Sequence, residues 1–242
     1  MPEQYFKDRA KLLEKDRITL RPSVLLDNEK VQYDPSLPAP DKALFIVQSA
    51  MKARFVAKSY REFKVGAAGW IDRGDNTAIA IKHGGNYKNR SGASEIDDHA
   101  EQVVLRNMQP GDHLSILAVI GLPQPDHASD KNPCTLHPCG KCRERLASSE
   151  YVSEKTLIIT ATPDAKSVQW GSLEAYANYH DESAEEGLYT AIFDATPAVF
   201  EPIVASGPID AKTFPDVDTK EWDQKFTYPL LDWIHANNPV KY

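Results

Sequence analysis

Cysteine is scarce in this chain of 242 residues: there are three, an odd number, which excludes a framework of disulfides. Long apolar runs are missing as well. The longest, around 43–47 and 114–122, are too short and too interrupted to span a bilayer. Residues 1–17 mix charges of both signs and lack the apolar centre of a secretion signal. Positive charge is in deficit, with 28 Lys and Arg against 35 Asp and Glu and a formal net charge of −7. No Lys/Arg stripe offers the basic footprint that a nucleic-acid polymer requires. With no internal repeat either, the expectation is a soluble, cytoplasmic protein that engages neither membrane nor polynucleotide.

The length suits one large domain or a catalytic domain with extensions. Residues 1–40 read as a polar N-terminal arm, with a short helix near 3–15 and a proline-rich end, Asp34-Pro35-Ser36-Leu37-Pro38-Ala39-Pro40. Asp41 can cap a helix over 42–58, on which Leu44, Val47, Met51 and Phe55 recur at steps of three and four. Phe63-Lys64-Val65-Gly66-Ala67-Ala68-Gly69-Trp70-Ile71 leads into a strand whose small residues let something approach the backbone closely, and 77–81 returns as a hairpin. A loop to Ser94 precedes a helix from about Glu95 to Gln109, with Ala100, Val104 and Met108 as its buried stripe. Then come a buried strand at 115–122, a proline-rich loop at 123–138, a helix at 139–148 and a strand at 156–161. Alternating strands and helices over 41–165 predict an α/β fold, a mixed β-sheet sandwiched by helices. The C-terminal extension, 166–242, is too rich in aromatics to be disordered and is expected to pack on the core or on a subunit partner.

Two short stretches carry the chemistry: His99-Ala100-Glu101 and Pro138-Cys139-Gly140-Lys141-Cys142. Spaced i,i+3 at the start of a helix, Cys139 and Cys142 share one face and can grip one ion. The positive end of that helix favours thiolate over thiol. His99 completes a set whose charge cancels that of Zn2+. Three protein ligands leave a fourth position for water, whose pKa falls to about 7 there, with Glu101 unliganded beside it. Residues two apart do not share a helical face, so His99 and Glu101 converge only if their helix begins near His99. The rival reading is a zinc staple closed by a fourth ligand, Cys134 or His137, since Pro133-Cys134-Thr135-Leu136-His137 imitates the second motif. Otherwise Cys134 is a small apolar loop residue.

His-x-Glu followed by Pro-Cys-x-x-Cys is the known signature of zinc-dependent deaminases, and the chain resembles the histidine-ligated branch of the cytidine deaminase superfamily. Phe63-Lys64-Val65-Gly66-Ala67 is similar to the family's Phe-x-Val-Gly-Ala strand, and Gly84-Gly85-Asn86-Tyr87-Lys88 to its Gly-x-Asn-x-Glu segment. The resemblance implies a cytidine deaminase-like sheet and a hydrolytic deamination that releases ammonia from a small aminated pyrimidine nucleoside. It implies His99, Cys139 and Cys142 as ligands of zinc, Glu101 as the proton shuttle, and Phe63, Asn86 and the backbone near Ala100 as substrate contacts. A homodimer or homotetramer is also expected by resemblance. Lys88 stands where the family has a glutamate, and with three donors and no acceptor it cannot repeat that residue's hydrogen bonding to a ribose. It either faces solvent or Asp97 and Asp98, or meets an anionic group on the substrate. The alternatives are the same chemistry on a nucleotide, a nucleoside antibiotic or a free base, and a non-catalytic zinc-stapled binder.

Overall fold

The computed structural model describes residues 39–59, 63–73, 80–91, 94–122, 135–178, 187–206 and 220–237. The expectations for residues 1–38, for the hairpin turn and for most of the 123–138 loop, Cys134 included, lie outside these residues.

Helix α1, Ala39–Val56, opens the described chain. Ala43, Ile46, Val47, Ala50 and Met51 form its buried stripe, whereas Leu44 is partly buried and Phe55 is 37% exposed. The apolar face is therefore centred one residue away from the expected one. After the short strand β1, Lys58–Ser59, strands β2, Gly66–Arg73, and β3, Ala80–Gly85, form an antiparallel hairpin in which Gly66 faces Gly85. A Cβ on Gly66 would stand 2.1 Å from the Ala50 carbonyl oxygen. The small residues of β2 thus admit the α1 backbone, as the sequence implied.

The stretch expected to be a loop and then a helical turn is a second hairpin, β4, Tyr87–Ser91, with β5, Ser94–Asp98. With β1 it makes a three-stranded sheet. Its residues are mostly polar and lack alternation, so backbone pairing and not an apolar face defines it. Because 94–98 is strand, helix α2 is short, Ala100–Arg106, and starts after an extended His99.

The main sheet continues with β6, Asp112–Ile120, β7, Val152–Ala161, β8, Ser167–Ser172, and β9, Tyr189–Ile192, in the order β3-β2-β6-β7-β8-β9. Only β6 and β7 run parallel, which makes the sheet mixed. Helices α3, Gly140–Ala147, and α4, Leu173–Asn178, join α2 on one face. The other face carries α1 together with Phe193, Phe200, Trp222, Phe226 and Trp233 from the C-terminal part.

Period-two alternation divides the core between these faces. On β6, Ile116, Ala118 and Ile120 meet α1 and the aromatics, while Leu117 and Val119 turn to α2 and α3. On β7, Leu157 and Ile159 face one way and Ile158 the other. The fold is α/β, a mixed sheet covered by helices on both sides. Among the described residues no helix is long and apolar enough to cross a membrane.

Candidate metal centre

Both motifs sit where a helix begins, and that local fact builds the site. His99 is the N-cap of α2, with φ −78° and ψ 148°, and Cys139 is the N-cap of α3, with φ −65° and ψ 165°. Neither side chain caps its own helix, so each is free to face outward. Pro138 lies one residue before the cap. Cys142 falls one turn beyond Cys139 on the same side, and Leu146 extends that side into the core, both fully buried.

The three side chains converge. His99 Nδ1 lies 3.4 Å from Cys139 Sγ and 3.2 Å from Cys142 Sγ, and all three donor atoms fall within 4.8 Å of one another. In a tetrahedral zinc site, with bonds of about 2.1 Å to nitrogen and about 2.3 Å to sulfur, such donors stand about 3.6 Å apart. The donor set and its spacing fit that ion. Among the described residues no fourth His, Cys, Asp or Glu joins the cluster. His137, a possible fourth ligand by sequence, turns its Nε2 to the Gln169 side-chain oxygen and packs edge-on against Tyr176.

Electrostatics prepare the cluster for a cation. Hydrogen bonding from Cys142 holds the Cys139 thiol down to about 3, and the same contact, with burial and Glu101 nearby, pushes Cys142 up. The pair shares one proton. His99 is raised chiefly by its hydrogen bond to Cys139. Glu101, the second residue of α2, is buried, and this desolvation raises its carboxyl against the opposing pull of its own backbone amide.

The structure also assembles residues that the motif reading passed over. Gln102 directs its amide toward Cys142 Sγ at 3.9 Å, and Arg145 donates to the Gln102 side-chain oxygen at 2.7 Å. Asp97 places a carboxylate oxygen 3.3 Å from His99 Nε2, while Asp98 pairs with Arg106. A helix from Glu95 would have put both acids in its first turns, and the strand conformation separates them.

The other residues singled out by sequence lie nearby on different supports. Ala100 is fully buried at the first turn of α2. Phe63 is partly buried against the cluster that holds Val65, Ala67 and Ala100. Asn86 is buried, accepting from the Val65 amide at 2.8 Å and donating to the Phe63 carbonyl at 2.8 Å. Its amide therefore clamps 63–65 and retains one hydrogen and one lone pair for another partner. Lys88 lies in β4 between Ser59 of β1 and Asp97 of β5.

No protein-family model and no curated protein matches the chain. Solved structures do. A cytidine deaminase from Mycobacterium tuberculosis is 31% identical over 45% of this chain and 76% of its own, with a TM-score of 0.32. Over that stretch the chain is similar to a cytidine deaminase. A cytidine deaminase from Burkholderia pseudomallei is 24% identical over 54% of this chain and 92% of its own, with a TM-score of 0.41. One from Mycobacterium leprae is 21% identical over 57% and 95%, with a TM-score of 0.37. These likenesses are distant, and overlays at these scores place no individual residue. The positions given above come from its own geometry.

Proposed function

We propose that the protein is a zinc-dependent hydrolytic deaminase that releases ammonia from a small aminated pyrimidine nucleoside. One observation carries the reading: a buried carboxyl, Glu101, stands two residues from a histidine donor and beside a three-donor cluster. A structural zinc site is closed by four protein ligands and needs no such acid.

His99, Cys139 and Cys142 would hold the ion, and zinc bound there supplies a water acidified to a pKa of about 7. Glu101 takes a proton from the attacking water at a carboxylate oxygen. It delivers that proton to the ring nitrogen next to the aminated carbon, then takes the second water proton from the hydroxyl now on that carbon and passes it to the departing amine, so that ammonia leaves as the carbonyl forms. Its raised pKa suits a group that must both accept and return a proton near neutrality. The first-turn backbone at Ala100 orients the ring, and Phe63, its carbonyl held by Asn86, flanks it. A net charge of −7 disfavours a polynucleotide as substrate.

The test is ammonia release from a panel of cytosine and adenine nucleosides, nucleotides and free bases, with zinc content measured on the same sample. Release from a cytosine nucleoside that stops on chelation and returns with zinc is the expected result. Stoichiometric zinc without release from any member would leave a binding protein.

A further inference from the structure

We propose that Asp97 is a positioning residue for the metal centre, its carboxylate fixing the proton of His99 on Nε2 so that Nδ1 faces the ion with its lone pair. The inference rests on the zinc reading and deepens it. A neutral imidazole carries its proton on one nitrogen or the other, and a ring protonated on Nδ1 cannot ligate through that atom. Here Nδ1 faces the two sulfurs at 3.2 and 3.4 Å, and the opposite nitrogen lies 3.3 Å from Asp97 Oδ2. An ionised carboxylate only accepts, so it demands the proton on Nε2. It also makes the imidazole a more basic ligand.

Backbone conformation supports the assignment independently. Residues two apart lie on opposite sides of a helix but on the same face of a strand. Asp97 belongs to β5, and His99 continues it in an extended conformation before α2 begins. Asp97 and His99 therefore share a side. Asp98, between them, turns to the other side and pairs with Arg106. The β4 register, Lys88 opposite Asp97 and Tyr87 opposite Asp98, holds both acids in place. A helix starting at Glu95 would have left the histidine without this partner.

The experiment measures zinc affinity by chelator competition for the full-length chain, Asp97→Ala and Asp97→Asn, with the melting temperature of each metal-free form alongside. Asp97→Ala is expected to bind zinc about 10 to 100-fold more weakly, with the metal-free melting temperature unchanged. Asp97→Asn keeps an acceptor oxygen and is expected to fall between. In the zinc-loaded wild type, long-range 1H–15N spectra should show His99 protonated on Nε2. Wild-type affinity in both variants, or a His99 protonated on Nδ1, overturns the proposal. If Asp97→Ala does not fold, Asp97→Asn decides: several-fold weaker binding supports the role and unchanged binding overturns it. If the wild type takes up no zinc, the reading of the centre falls and this inference with it, a result visible before any variant is made.

Discussion

The two faces of the main sheet are made of different material. On one, α1 meets a cluster of large rings: Trp222 lies 4.4 Å from Phe226, 4.8 Å from Phe200 and 5.5 Å from Phe193, and Trp170 lies 5.0 Å from Phe226. On the other, helices of six to eight residues carry buried Glu101 and Gln102 and the ligand cluster. Below that face Thr135, Thr160, Gln169 and Tyr176 form a hydrogen-bonded polar group. Isolated helices this short are not stable in water; they hold their ends in place because the strands behind them are fixed from the opposite side. The aromatic face thus supplies rigidity, and the polar face uses it to hold unfavourable groups close together.

Separating those contributions is the way to break the comparison. Glu101→Gln should lower turnover by at least about 10² to 10⁴-fold, the range for general acid/base catalysis, while zinc stoichiometry and melting temperature stay at wild-type values. Kinetics and metal analysis on one preparation check it; a variant that loses zinc would make Glu101 part of the scaffold. Trp222→Ala should do the converse. Emptying that site should remove about 3–5 kcal/mol of stability, read by denaturant unfolding, with the turnover of the still-folded protein preserved at low temperature. Loss of turnover before unfolding would mean that the two faces are not separable.

The polar face was more legible in the sequence than the aromatic one. Its candidate ligands are rare residue types at fixed spacing, and the spacing of Cys139 and Cys142 suits one ion whatever surrounds them. Residues 166–242 offered only composition, because Trp170 in β8, Phe193 just after β9 and Trp222 in the helical stretch 220–237 come together through the fold and not through a local period. The β4–β5 hairpin was illegible for another reason. Polar strands such as Tyr-Lys-Asn-Arg-Ser pair through their backbones, leaving no alternation to detect. With that hairpin unseen, the helix start moved from Ala100 back to Glu95, and the partnership of Asp97 with His99 disappeared from view. Asn86 shows the opposite limit: the motif marked it as important, and contacts with 63–65 that no spacing announces define what it touches.

A smaller effect sharpens the picture of the polar face as a site already charged for a cation. Without metal, Cys139 is held at about 3 and Cys142 is raised, so near neutrality one thiolate and one thiol are present. Zinc needs both as thiolates, and loading must expel the Cys142 proton along with any carried by His99, whose pKa is also raised. Because the Cys142 pKa lies above neutrality, that proton competes throughout the pH range 6 to 8. Zinc affinity should therefore rise with pH, about tenfold per unit for each proton displaced. Titration calorimetry in buffers of different ionisation enthalpy counts the protons, and a count of zero would remove Cys142 from the ligand set.

The smallest expected effect belongs to neither face but to the three-stranded sheet, where Lys88 occupies the central strand opposite Asp97. A lysine there cannot accept a hydroxyl proton, whereas it can attract an anion. If the substrate carries phosphate where a nucleoside ends in its sugar, Lys88→Glu should shift the ratio of kcat/KM for cytidine monophosphate over cytidine by up to about fivefold toward the neutral nucleoside, about 1 kcal/mol for one charge pair. Added salt should shrink that shift, because it screens the attraction between two charges. An unchanged ratio at low salt assigns Lys88 to the strand pairing alone, and the choice between nucleoside and nucleotide then passes to the residues around Phe63.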